Sequence, residues 1–182
     1  MEFEQLRISG CTSIRPTLFQ DKRGNFFKTF IEEEFKRAGL MTNFVEEYFS
    51  MSYKGVIRGL HFQTPPYECY KIINCLYGNI VDVILDLRVG SPTYNNYEVI
   101  YLGADCSNLI YLPPGIAHGY LVKSEIAIIA YKVTNKYSAL HDLGIKWNSL
   151  SFDWGIEAPI ISSRDDKFPL LSEFHSPFKY RA

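Results

Sequence analysis

The sequence carries no surplus of positive charge: 19 Lys and Arg stand against 20 Asp and Glu, for a formal net charge of −1 over 182 residues. A nucleic-acid binder normally displays a basic stripe, so that class of partner is disfavoured. Long apolar runs are missing too. The longest stretch free of Lys, Arg, Asp and Glu, Cys106 to Val122, is broken by Pro113, Pro114 and Gly115 and is too short to span a bilayer. The opening Met1-Glu2-Phe3-Glu4-Gln5 lacks the apolar core of a secretion signal, so the expectation is a cytoplasmic protein without a membrane partner. Cysteine is sparse, and no two of Cys11, Cys69, Cys75 and Cys106 sit at CxxC spacing. That argues against a zinc site or redox pair and for buried free thiols in a reducing compartment. Helical patterning is scarce. Glu32 to Ala38, closed by Gly39, reads as one short helix, with room for short turns in Trp147 to Trp154 and in the tail from Pro169. Internal repeats, low-complexity segments and linkers are absent, so residues 1–182 are expected to form one domain.

What the sequence does contain is strand language. Apolar residues make up 47% of it, including 13 Tyr, 13 Phe and 2 Trp. Segments Phe26–Phe30, Val56–Phe62, Tyr70–Leu76, Ile80–Leu87, Tyr97–Leu102, Asn108–Leu112, His118–Val122 and Ile126–Val133 are rich in β-branched and aromatic residues and separated by Gly, Pro, Asn and Ser. Alternation is clearest in the fourth, where Val81, Val83, Leu85 and Leu87 point one way and Ile80, Asp82, Ile84 and Asp86 the other. Gly78-Asn79 reads as a hairpin turn between two such runs. Many short strands at this spacing predict an all-β sandwich or barrel.

Chemistry has few candidates. Of the four histidines, His61 lies in Val56-Ile57-Arg58-Gly59-Leu60-His61-Phe62-Gln63 and His118 in Leu112-Pro113-Pro114-Gly115-Ile116-Ala117-His118-Gly119. A lone strand histidine is more often structural than catalytic. The first segment, however, places a cation and a titratable base beside a glycine that permits close approach of a ligand. In a regular strand Arg58 and His61 face opposite sides, so if both line one pocket the strand must end or bulge near Gly59. Pro-Gly-x-x-His suggests a cupin-type barrel. Many cupins ligate a metal through His-x-His, and here that position reads His61-Phe62-Gln63, so a three-histidine site cannot be assembled and neither metal nor cofactor is expected. Acid–base chemistry remains. Lys71, in an otherwise largely apolar strand, either snorkels to solvent or faces a polar interior. Tyr131 is either core filler or a pocket phenol. Asp165, taken alone, reads as a loop charge.

In order along the chain, these segments resemble the dTDP-4-dehydrorhamnose 3,5-epimerase family, a cupin-type jelly-roll barrel. The similarity begins at Asp21-Lys22-Arg23-Gly24-Asn25-Phe26-Phe27 and runs through Gly55 to Gln63, Lys71, Val81 to Arg88 with Ser91-Pro92-Thr93, and Pro114 to Gly119. It ends with Tyr131-Lys132-Val133-Thr134-Asn135 and with Asp165 before Pro169-Leu170-Leu171. The resemblance implies that His61 is a base held by Asp165, that Lys71 contacts a 4-keto oxygen, and that Tyr131 is the opposing acid. It further implies that Arg58, with Arg23 reaching in from a partner subunit of a homodimer, binds the diphosphate of a nucleotide-sugar, and that His118 sits on the substrate side of the barrel. Carbons 3 and 5 flank the carbonyl, so their protons can be removed if the enolate is stabilised.

The chain also departs from the family pattern. Where relatives usually read something like Phe-Val-Gln-Asp-Asn-His-Ser, it has Phe44-Val45-Glu46-Glu47-Tyr48-Phe49-Ser50, which exchanges two amides near the sugar for Glu46 and Tyr48. After the Thr-Asn pair the first expected aromatic is Lys136, followed by Tyr137. An ionised Glu46 only accepts hydrogen bonds and would ask for an extra hydroxyl donor, while Lys136 could donate to a base edge. The expected activity is inversion of carbon 3, carbon 5 or both of a dTDP-linked 4-keto-6-deoxy sugar. The alternatives are the same chemistry on a GDP-linked 4-keto sugar such as a heptose, a sugar 3,4-ketoisomerase, or a non-catalytic nucleotide-sugar-binding cupin.

Overall fold

Both faces of the best-alternating strand turn out to be buried, and that single fact explains much of the architecture. In a computed structural model that describes residues 1–103 and 108–181, Val83, Leu85 and Leu87 pack into one apolar cluster. Ile80 and Ile84 enter another. The even-numbered face looks into a barrel, and the odd-numbered face is covered from outside by the C-terminal segment, including Trp154 and Phe178. Asp82 and Asp86, on the inward-looking face, are both fully buried. Asp86 accepts hydrogen bonds from Arg88, Ser91 and Thr93.

The strands are β1 (Glu2–Gln5), β2 (Thr12–Arg15), β3 (Phe19–Asp21), β4 (Gly24–Phe26), β5 (Glu46–Tyr53), β6 (Ile57–Gln63), β7 (Lys71–Tyr77), β8 (Asn79–Asp86), β9 (Tyr97–Gly103), β10 (Leu109–Leu112), β11 (Ile116–Val122), β12 (Ile126–Val133) and β13 (Asp142–Gly144). They build a six-stranded sheet in the order β1-β2-β10-β7-β12-β5, a five-stranded sheet in the order β13-β6-β11-β8-β9, and the separate β3-β4 ribbon. The two large sheets face one another across a core shared by Ile73 and Ile129 from the first and Ile80, Ile84 and Tyr120 from the second. This is the cupin-type jelly roll that the resemblance implied. Helix α1 (Glu32–Arg37) lies outside the six-stranded sheet, where Phe35 is fully buried against Ile14, Leu109 and Tyr111. It ends at Gly39, whose φ of 74° suits a glycine after a helix. Three-residue 3-10 turns at Trp147–Ser149, Asp165–Lys167 and Leu171–Glu173 occupy the C-terminal segment.

Two expectations need correction. Gly78-Asn79 is not a hairpin turn, because β7 and β8 belong to different sheets and the chain turns a corner between them. The corner is tight: a Cβ on Gly78 would lie 2.2 Å from the Ile126 carbonyl. Phe26–Phe30 is not a strand beyond its first residue, since β4 ends at Phe26. Cys11 and Cys69 are buried free thiols and Cys75 is buried as well, whereas Cys106 lies outside the described residues. No helix among the described residues is long and apolar enough to cross a membrane.

Candidate active site

The motif around Gly59 adopts the bulge that Arg58 and His61 require in order to face the same way. On β11, His118 and Tyr120 stand two residues apart, while their partners on β6, His61 and Arg58, stand three apart. One extra residue is accommodated at Gly59, whose φ is 125°. The absent side chain at Gly59 makes room for the neighbouring strand rather than for a ligand. An added Cβ would sit 2.4 Å from the Gly119 Cα, and one on Gly119 would sit 2.7 Å from the Arg58 carbonyl oxygen. As a result Arg58, His61, His118 and Tyr120 all line one cavity of about 230 Å³.

The opposite wall comes from the six-stranded sheet. Lys71 is the first residue of β7 and Tyr131 lies in β12, and both are buried in the wall of the same cavity. Glu46, Tyr48 and Ser50, alternate residues of the edge strand β5, complete that side. The site is therefore a slot between sheets. It has imidazoles on one wall and an ammonium and a phenol on the other, with the His118 and Tyr131 ring centres 6.0 Å apart.

Asp165 reaches His61 from behind. Its Oδ2 lies 2.9 Å from His61 Nε2 and accepts the Gly59 N–H at 3.1 Å. Burial alone would raise this carboxyl's pKa. The His61 contact, the Gly59 N–H and Ser162 outweigh burial and hold it well below the usual carboxylate range. Asp165 is thus a fixed negative charge behind the imidazole. Arg164 also approaches His61 Nε2, with one guanidinium nitrogen 2.9 Å away. A guanidinium only donates, so it can bond Nε2 only when the ring proton is on Nδ1, whereas Asp165 needs that proton on Nε2. Arg164 has firmer partners in Asp142 at 2.5 Å and Asp165 Oδ1 at 3.2 Å. Asp165 beside Nε2, and the hold that Asp142 and Asp165 keep on Arg164, therefore favour the Nε2–H tautomer.

On the same wall, burial lowers the pKa of His118 despite the Asp82 carboxylate 3.3 Å from its Nδ1, which favours the neutral ring. Burial also raises the Tyr131 phenol well above its ordinary value, with Tyr120 adding to the shift and Ser50 partly opposing it, so Tyr131 keeps its proton. Among the described residues no group of three His, Cys, Asp or Glu side chains gathers as a metal site.

Of the residues singled out in the sequence, His61, Lys71, Tyr131, Arg58, Glu46, Tyr48 and His118 meet in this cavity, and Asp165 contacts it through His61. Lys136 is not part of the lining. Its backbone carbonyl accepts from Gln63, and the neighbouring Tyr137 faces the cavity instead. Arg23 is also outside: it sits on the β3-β4 ribbon, 85% exposed and paired with Asp21. Glu46 lines the slot, but its carboxylate already accepts the Tyr137 N–H at 3.1 and 3.2 Å. Sequence reasoning missed Arg164 and Asp142. Arg164 is the immediate sequence neighbour of Asp165, whereas nothing local to Asp142 marks it, because the β13–β6 pairing is what brings it to the slot.

Residues 5–173 match the family model described as dTDP-4-dehydrorhamnose 3,5-epimerase. A dTDP-4-dehydrorhamnose 3,5-epimerase of Sinorhizobium fredii is 36% identical over 184 residues, covering 99% of this chain and 94% of its own. The crystal structure of a dTDP-6-deoxy-D-glucose-3,5-epimerase from Legionella pneumophila, in complex with dTDP-4-keto-L-rhamnose, superposes with a TM-score of 0.93 at 31% identity, covering 100% of this chain and 99% of its own. A 3′-monoepimerase from Streptomyces bikiniensis, in complex with dTDP-quinovose, superposes with a TM-score of 0.85 at 27% identity, covering 92% and 86% respectively. With the match running over nearly the whole chain, this protein belongs to the dTDP-4-dehydrorhamnose 3,5-epimerase family and is an isomerase.

Proposed function

We propose that the protein inverts carbon 3, carbon 5 or both of a dTDP-linked 4-keto-6-deoxy sugar, with His61 as base and Tyr131 as acid. One observation carries this reading: the imidazole and the phenol stand on opposed sheets with the slot between them. Inversion requires a proton to leave one face of the sugar ring and another to arrive on the opposite face, and this arrangement supplies both. With Asp165 on Nε2, Nδ1 of His61 is the basic nitrogen. It takes a proton from a carbon beside the 4-keto group, and the C–H electron pair moves into the enolate. Lys71 meets the negative charge as it develops on the oxygen. Asp165 stabilises the imidazolium. The Tyr131 phenol then delivers its proton to the other face, and exchange with solvent restores both groups.

The dTDP nucleotide follows the names of the relatives and the substrate bound in one of them. Arg58, exposed at the slot and bonded through Nε to Ser52 Oγ at 2.9 Å, is suited to a diphosphate oxygen. The partner subunit's Arg23 would add a second cation in a homodimer. Support comes from the ribbon's exposed Phe19 and Phe26 and from the outward row Phe49, Met51 and Tyr53 on edge strand β5. Light scattering should give a dimeric mass; a monomer that is fully active at nanomolar concentration contradicts the assembly. The reaction itself is tested in heavy water with a dTDP-linked 4-keto-6-deoxyhexose, following each ring proton by NMR. His61→Ala should abolish exchange at both candidate carbons, and wild-type exchange rates in that variant would refute the mechanism.

A further inference from the structure

Tyr48 is a departure from the family pattern whose structural consequence is specific. It lies on β5 directly across from Tyr131 on β12, in register, so both side chains project from the same sheet face into the slot. The two rings stack with centroids 4.8 Å apart and planes 18° apart. Tyr131 is almost wholly buried, while Tyr48 is 46% exposed at the mouth of the slot. Across the slot stands His118, its ring tilted at 52° to that of Tyr131, and the Tyr131 hydroxyl interacts with Ser50 and Tyr120, themselves 2.9 Å apart. The phenol is thus bounded on one ring face by Tyr48 and at its tip by Ser50 and Tyr120, with His118 across the slot. Tyr48 is the only one of these boundaries that is substantially open to solvent, and the small amide that the family pattern carries nearby offers no comparable ring face.

Positioning matters here because the enolate has two fates. His61 can return the proton to the face it came from, or Tyr131 can deliver one to the opposite face. The first gives solvent exchange without inversion; the second gives inversion. Their ratio depends on where the Tyr131 hydroxyl stands relative to the enolate carbon, while proton removal by His61 does not.

Resting on the epimerase reading above, we infer that Tyr48 is a positioning residue that holds Tyr131 by ring stacking and so sets the ratio of inversion to exchange. Wild type, Tyr48→Phe, Tyr48→Leu and Tyr48→Asn are compared in heavy water with a dTDP-linked 4-keto-6-deoxyhexose, scoring deuterium and configuration at carbons 3 and 5. Tyr48→Phe keeps the stack and should keep the wild-type ratio within about twofold. Tyr48→Leu and Tyr48→Asn should lower the ratio of inversion to exchange by about fivefold, as expected when a stacking contact is lost. A general structural defect would lower both rates together. An unchanged ratio in Tyr48→Asn, or a Tyr48→Phe shift as large as that of Tyr48→Asn, overturns the inference. A second measurement needs no turnover: in tyrosine-labelled protein, the Tyr131 ring resonances should shift in Tyr48→Asn and Tyr48→Leu but stay near wild type in Tyr48→Phe. Shifted resonances together with absent wild-type exchange would sink the epimerase reading and leave the positioning role standing; unshifted resonances would sink the positioning role whatever the activity.

Discussion

Asp165→Asn should leave the protein folded and nearly abolish turnover. The carboxylate serves three donors at once: the Gly59 N–H at 3.1 Å, His61 Nε2 at 2.9 Å and Arg164 Nε at 3.2 Å. An amide of the same shape cannot. If its oxygen keeps the Oδ2 position, its NH₂ confronts the Arg164 donor; if it flips, NH₂ confronts the Gly59 N–H and forces the His61 proton onto Nδ1. In either case the charge behind the imidazolium is lost. A unit charge pair at about 4 Å in an effective dielectric near 20 is worth ~4 kcal/mol, and the nearby Arg164 cation reduces this to roughly 3. That corresponds to a kcat lower by about 10²- to 10³-fold. KM should move less than about threefold, because Asp165 contacts His61 rather than the slot. The buried hydrogen bonds lost cost about 1–3 kcal/mol, a fall in Tm of roughly 3–10 °C for a chain of this size. The stability gap has a defined pH dependence. Because the folded carboxyl titrates below its unfolded value, its stabilisation is complete above the ordinary aspartate range near ~3.9 and is lost as pH falls through the lower folded value. The gap between wild type and Asp165→Asn should be flat from about pH 6 to 8 and shrink below about pH 4. NMR wash-out rates in heavy water and thermal melts across pH measure both. A kcat within about fivefold of wild type would refute the assigned role.

Gly59→Ala should be severely destabilising, by about 3 kcal/mol or more, since it combines a left-handed φ with a Cβ pressed against the Gly119 backbone; a melting temperature near wild type would mean β6 and β11 can separate without cost. Glu46→Ala frees the Tyr137 N–H and should raise KM for the nucleotide sugar several-fold more than it lowers kcat, which steady-state kinetics will resolve. Full epimerase activity is expected after exhaustive chelation, because His61-Phe62-Gln63 lacks the second imidazole of a cupin metal site; loss of activity with rescue by a divalent ion would contradict it.

Local chemistry in the chain was enough to determine the all-β class, the position of α1 and the extent of Ile126–Val133. Strand propensity, side-chain alternation and a glycine helix stop act between near neighbours and are written in short windows. The family resemblance supplied roles for His61, Lys71, Tyr131 and Asp165. Partnership was not legible. Gly78-Asn79 has the composition of a hairpin, yet the strands on either side enter different sheets, because pairing is decided by which distant edges bury the most apolar surface. The paradox of Arg58 and His61 was visible in the sequence, but only the register of β6 against β11 resolved it, with the bulge at Gly59. Asp142 reaches the site through the β13–β6 pairing, and Tyr48 finds Tyr131 through the β5–β12 register. Each of these contacts joins residues far apart in sequence, and a contact of that kind exists only once long-range β pairing has closed the barrel.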